Sequence, residues 1–256
     1  MGFGKWIGGA LGWAVGGPIG GLLGFAFGTI VDDSSLSVEK AQRTKGQYDP
    51  RFDRRYQNQR HHTQPGDFAS ALLVLSAAVM KADGKHMKSE LDYIRGFFTR
   101  QFGESAAAYQ MSLLKELLDK DIPVREVCDQ IRYYMEHPMR LQMMHYLFGI
   151  ANSDGSVDRS EEQMIYQIAQ HLGVSQKDYE SIRAMFYHDA ESDFKILEIE
   201  SSASDEDVKK AYRKMAMKYH PDKVRGLGEQ HEKAASEKFV KVQEAYERIK
   251  KQRNIK

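Results

Sequence analysis

Hydrophobic and polar positions divide the chain into four stretches. From Ile7 to Val31 there is no charged residue. From Asp32 to about Gly66 the composition turns polar and apolar periodicity disappears, which predicts a flexible tether. Between Asp67 and His188 sided helical patterns follow one another. They run through Phe68, Ala71, Leu72, Leu75, Ala78 and Val79, then Tyr93, Ile94, Phe97 and Phe98, then Leu113, Leu114, Leu117 and Leu118. Met143, Leu147, Ile150 and Ala151 follow, and Ile165, Ile168, Ala169 and Leu172 close the set. Steps of three and four residues predict about six or seven helices around a core, with no strand. Past residue 190, Val208, Ala211, Tyr212, Met215 and Tyr219 form one stripe, and Ala235, Phe239, Val242, Tyr246 and Ile249 form another that can pack against it. The expected fold class is all-α, in parts 1–31, 32–66, 67–190 and 191–256.

The uncharged first stretch, at ~1.5 Å rise per residue, exceeds the ~30 Å hydrocarbon thickness of a bilayer. Gly8, Gly12, Gly16, Gly20, Gly24 and Gly28 recur in it at a strict interval of four, a row that Gly4 begins just ahead of it. In water each would weaken a helix by about 0.8–1.0 kcal/mol relative to Ala. In lipid the backbone has no other partner, so helix is enforced and the glycine row lets helices approach closely. This predicts a single-pass transmembrane helix that forms a homodimer through its glycine face. A bent or re-entrant hairpin is the competing reading, because Gly16-Gly17-Pro18 breaks the middle. A cleaved signal peptide fits poorly, since the apolar run outlasts an h-region of ~7–15 residues. Only Lys5 precedes the run, whereas Lys40, Arg43, Lys45, Arg51, Arg54 and Arg55 follow it, which puts the bulk of the chain on the cytoplasmic side.

The middle stretch contains a repeat. Ala82-Asp83-Gly84-Lys85-His86-Met87-Lys88-Ser89-Glu90 returns as Ser153-Asp154-Gly155-Ser156-Val157-Asp158-Arg159-Ser160-Glu161. In both, Asp-Gly closes a helix and Ser-Glu opens the next, with glycine at the left-handed terminus and serine as the cap. A calcium loop fails where its ligands should begin, at Val79 or Ile150 and at Lys81 or Asn152. The paired Asp-Gly pattern resembles the TerB-like helical domain. That resemblance implies an association with metal ions in some relatives. Asp83, Glu90, Asp154, Asp158 and Glu161 are the acids that could serve, and all are equally explained as caps and turn residues.

In the last stretch Ser204 can cap a helix whose first turn carries Asp205, Glu206 and Asp207 against the positive dipole end. Lys209, Lys210, Arg213, Lys214 and Lys218 fill the face opposite the apolar stripe. Pro221 biases His220 out of helical geometry, so the helix stops there. Phe194-Lys195-Ile196-Leu197, Ala203-Ser204, His220-Pro221-Asp222, Lys238-Phe239 and Gln243-Glu244-Ala245-Tyr246 come in the order and spacing of a J domain. The stretch resembles that module of DnaJ-type co-chaperones, which stimulates a DnaK-type ATPase chaperone. The resemblance implies that Lys209, Lys210, Arg213 and Lys214 face the ATPase, with Tyr212 beside them. It also implies that His220, Pro221 and Asp222, with Lys223, form the contact loop. Glu198 departs from the family, which usually has Gly there. A membrane segment, a TerB-like middle and a C-terminal J domain together resemble the DjlA-type co-chaperones of the bacterial inner membrane.

The chain has 256 residues and a net charge of +1, so nothing global suggests nucleic acid. The single cysteine, Cys128, excludes an internal disulfide or a Cys-based zinc ribbon and falls on the apolar stripe of Val124, Val127 and Ile131. His61-His62 lacks further ligands, so no metal is assigned there. No cofactor is implied, and no nucleophile, base and orienting group come together in recognisable motifs, so no enzyme is expected. The expected function is a membrane-anchored co-chaperone that stimulates a cytoplasmic DnaK-type chaperone, with the client protein unspecified. The rivals are a TerB-type metal or stress-response binding protein and a glycine-mediated membrane scaffold.

Overall fold

The computed structural model describes residues 4–33, 65–85, 88–187, 191–224 and 229–254. Nearly all of the expected tether, with His61 and His62, lies outside them. Among the described residues the regular structure is helical, with no strand.

α1 (Gly4–Asp33) is two arms joined at Gly17, whose φ of 59° and ψ of −152° only glycine adopts readily. Pro18 follows and cannot donate to the helical ladder. The arms fold back on each other, so that Gly8 faces Gly24 and Gly12 faces Gly20. A β-carbon on Gly12 would stand 2.0 Å from the Gly20 carbonyl oxygen. The glycine row therefore zips one arm to the other within a single chain. The structure differs here from the expected continuous helix and has the bent form instead. No helix among the described residues is long and apolar enough to cross a membrane. The hairpin leans on the helices that follow. Gln130 donates to the Gly16 carbonyl at 2.8 Å and accepts the Ile19 N–H at 3.1 Å, filling the gap left at the break. Thr29 donates to Glu116 at 2.6 Å.

Seven helices build the middle bundle: α2 (Pro65–Met80), α3 (Lys88–Phe102), α4 (Glu104–Leu118), α5 (Val124–Tyr134), α6 (His137–Ala151), α7 (Arg159–His171) and α8 (Gln176–Ala184). Every residue from Ala71 to Met80 is buried, so α2 runs through the centre. Around it close Ile94, Phe98, Leu114, Leu117, Ile131, Phe148, Ile165 and Ile168, all buried. Cys128 is buried as expected, and burial first, then Asp129, pushes its thiol up to about 12. The two repeats fold alike. Gly84 (φ 72°) and Gly155 (φ 93°) take the left-handed turn, while Asp83 and Asp154 accept the N–H two residues on, at 2.8 and 2.9 Å. The cap of α7 is Asp158 rather than Ser160. It accepts from Ser160 N at 2.7 Å, and Glu161 answers by accepting the Asp158 N–H at 3.2 Å.

α9 (Ser192–Ile196), α10 (Asp205–Lys218), a short 3-10 turn (Pro221–Val224) and α11 (Glu229–Arg253) form a C-terminal three-helix unit. Arg248 on α11 grips Asp193 on α9 with bonds of 2.7 to 3.0 Å, in the forked geometry that favours guanidinium. Arg253 lies over the Phe194 ring at 5.0 Å.

Candidate functional site

Ser204 caps α10 as its sequence suggests. Its hydroxyl accepts the Asp207 N–H at 3.2 Å and donates to the Asp207 carboxylate at 2.7 Å. Val208, Ala211, Met215 and Tyr219 are buried on one side, whereas Lys210, Arg213, Lys214 and Met217 are exposed on the other. Lys209 and Tyr212 are half-buried between these faces. The Tyr212 ring stacks on Tyr246 of α11. The last helical bond, Tyr219 N to Met215 O at 3.0 Å, ends α10 one residue before the tripeptide.

His220 then folds the chain over itself. Its Nδ1 accepts the Asp222 N–H at 3.2 Å and its carbonyl accepts the Lys223 N–H at 2.9 Å. With Nδ1 used in this way, the neutral ring carries its proton on Nε2. The edge of the ring meets Phe239 on α11, with centroids 6.3 Å apart and planes at 82°. His220, Asp222 and Lys223 are exposed and Pro221 is half-buried. The turn is thus a stiff corner at the end of a basic helix, braced from behind by an aromatic ring. What it offers chemically is an imidazole donor, a carboxylate and a field of positive charge, which suit recognition rather than bond-making.

Several residues that sequence reasoning did not assign to the site lie just behind it. Lys218, nominally part of the basic face, turns inward between Glu198 and Asp178 and contacts both carboxylates. Lys214 also reaches Glu198, at 3.0 Å. Asp178 further accepts from Ser175 at 2.6 Å and lies 3.5 Å from His137 Nε2. Burial would raise the Asp178 carboxyl, but the bonds from His137, Lys218 and Ser175 outweigh it and hold the group well below the usual carboxylate range. On α11, Lys238 is only 2% exposed, and burial brings its ammonium down to about 7. Its charge and that of Lys241 add to burial in holding His145 of α6 well below its ordinary value. The one available signal was Glu198 itself, an acid where the J-domain pattern usually has glycine. Its backbone keeps glycine's left-handed turn, at φ 59°.

A second feature lies on the middle bundle. Asp83, Glu90, Asp154, Asp158 and Glu161 all line one cleft of about 300 Å³ between the two repeats. Burial first, then a hydrogen bond that the protonated Glu161 donates to Glu90, pushes the Glu161 carboxyl up to about 8. Among the described residues no three His, Cys, Asp or Glu side chains are grouped so as to hold a metal ion.

Comparison with known families matches three stretches of the chain. Residues 1–46 match the co-chaperone DjlA transmembrane domain, 69–184 match tellurite resistance protein TerB and 192–256 match the DnaJ domain. The co-chaperone protein DjlA of Vibrio vulnificus is 26% identical over 230 residues, covering 74% of this chain and 79% of its own. That of Vibrio parahaemolyticus is 27% identical over 228 residues, with the same shares. The chaperone protein DnaJ of Wolinella succinogenes is 59% identical over 54 residues, 21% of this chain and 13% of its own. No solved structure matches.

Proposed function

On the premise that this chain belongs with the DjlA-like J-domain co-chaperones, we propose that it stimulates ATP hydrolysis by a cytoplasmic DnaK-type chaperone from the membrane surface. The observation that carries this reading is the corner formed by His220, Asp222 and Lys223, exposed at the end of the basic helix and backed by a three-helix unit. Lys210, Arg213 and Lys214 attract an acidic surface, which speeds encounter and sets orientation more than it adds affinity. Asp222 is suited to a charge-assisted bond with an arginine of the ATPase, and His220 Nε2 supplies a neighbouring donor. Pro221 limits the ordering entropy lost on docking. The chain's part is to bias its partner toward hydrolysis; the chemistry stays in the partner.

With α1 bent back on itself, the basic residues that follow it, Lys40, Arg43, Lys45, Arg51, Arg54 and Arg55, support a cytoplasmic position for the bulk of the chain and an inner-membrane location. The middle bundle would recruit a client. The acid-lined cleft between the repeats favours one further reading, a metal-responsive middle domain. Calorimetric titration of the whole chain with divalent cations separates the two, since flat heats would remove it. The decisive test of the main reading is single-turnover ATP hydrolysis with His220→Gln. Stimulation should be lost with helicity unchanged, and full stimulation would overturn the assignment.

A further inference from the structure

The middle bundle and the C-terminal unit meet through a contact that is ionic at its centre. Lys218, 19% exposed, sits between the side chains of Asp178 (7%) and Glu198 (4%). A largely desolvated ammonium is tolerable only with partners of this kind. Glu198 shares the C-terminal unit with Lys218, so the bond that crosses to the middle bundle is the one to Asp178. Asp178 is held in turn by Ser175 and His137, so the carboxylate is placed by α6 and α8 before Lys218 reaches it. Ser181 on α8 donates to the Ile196 carbonyl at 2.8 Å, tying the bundle to α9. The Pro221–Val224 turn lies along α6.

Glu198 is the telling residue. At φ 59° it stands in the left-handed region, which side chains other than glycine disfavour. Its carboxylate nevertheless engages two lysines, Lys214 and Lys218. One of these belongs to the basic face that the partner reads. The other anchors the end of the same helix to the middle bundle. A partner closing on the corner therefore meets α6, against which the Pro221–Val224 turn lies.

We infer that the middle bundle parks the J domain through the Asp178–Lys218 pair, an autoinhibitory contact that the ATPase must open to dock fully. The inference rests on reading this corner as the ATPase-docking site. A domain competent for only about a tenth of the time binds about tenfold more weakly in appearance, so opening the pair recovers that factor.

The test uses the full chain in phospholipid nanodiscs, with spin labels at Gln163→Cys on α7 and Gln243→Cys on α11. Both positions are exposed, and the buried Cys128 thiol does not compete for label. Electron–electron resonance should give one narrow distance in the parent chain. Glu198→Gly suits the left-handed turn and so does not endanger folding, and Asp178→Asn keeps the shape at the start of α8. Asp178→Asn should broaden the distance distribution and lower the half-saturating concentration for ATPase stimulation by about tenfold, leaving the plateau unchanged. Glu198→Gly leaves the Asp178–Lys218 pair in place and should keep the distance narrow. A distance that stays narrow in Asp178→Asn, or a broadened distance with an unchanged or raised half-saturating concentration, would overturn the inference. A parent chain that gives no stimulation at any concentration would instead sink the ATPase reading and the functional half of this inference. The distance distributions would still decide whether the parked form exists.

Discussion

Tyr212 lies against Tyr246 with ring centres 4.3 Å apart and planes 15° from parallel, joining α10 to α11 beside the basic face. An aromatic pair of this kind contributes about 1 kcal/mol beyond the apolar area that it covers. Tyr212→Ala should therefore destabilise the three-helix unit by about 2 kcal/mol once the lost burial is added. Tyr212→Phe keeps the ring and should stay close to the parent in a denaturant titration. If the tyrosine also meets the partner through its hydroxyl, the Phe variant will stimulate less while remaining equally stable. The two measurements thus separate its packing role from its docking role.

The hairpin of α1 makes a sharper demand. A methyl group on Gly12 would collide with the Gly20 carbonyl, which is backbone and cannot swing aside. Gly12→Ala should part the two arms and lengthen the distance between labels placed at Ala10 and Phe27. A homodimer built on the glycine row makes the opposite forecast, with that distance unchanged and the dimer fraction reduced. Paired distance and crosslinking measurements in lipid decide between them.

Glu161 provides a pH dependence. Its carboxyl is raised from 4.5 to about 8, by burial first and then by its bond with Glu90. The folded state holds that proton more tightly than the unfolded chain does. The stabilisation is therefore complete below about pH 4.5 and is lost as pH rises through about 8. Glu161→Gln keeps an acceptor for the Asp158 N–H and removes the ionisation. It should flatten stability between those limits and raise the melting temperature at pH 8, by about 4 °C for each kcal/mol regained. An unchanged pH slope in thermal melts would show that Glu161 does not titrate in this range.

What was legible in the sequence was what is local. Ser204 opens α10 and Pro221 ends it because cap and stop signals act within one turn. Gly16-Gly17-Pro18 announced a break for the same reason, although the choice between rod and hairpin depended on packing that no local rule supplies. Lys238 reads as a surface residue and is buried, its ammonium over the Tyr219 ring and within electrostatic reach of His145 on α6. Asp178 reads as an ordinary acid in the first turn of α8, where Ser175 does cap it, yet its main electrostatic partner lies 40 positions away on α10. Charge pairs between domains leave no periodic trace, so the cluster behind the corner had to be seen in three dimensions. Glu198 alone hinted at it, by standing where glycine would be at ease.

Arg213 is the cleanest probe of the basic face. It is exposed, unlike the half-buried Lys209, and among the described residues no acid pairs with it as Asp207 does with Lys210 and Glu198 with Lys214. Reversing its charge should leave α10 intact, because the buried stripe of Val208, Ala211 and Met215 is untouched. The effect should fall on association with the ATPase. At low ionic strength Arg213→Glu should slow binding by about tenfold, because steering depends on unscreened opposite charge. Near 1 M salt, where the screening length shrinks to about 3 Å, the variant and parent rates should converge. Stopped-flow association across a salt series measures both limits. A deficit that persists undiminished at high salt would place Arg213 in a direct bond with the partner instead, and dissociation would then quicken as well. Steering alone leaves dissociation nearly unchanged, so the two rate constants together identify which role the guanidinium plays.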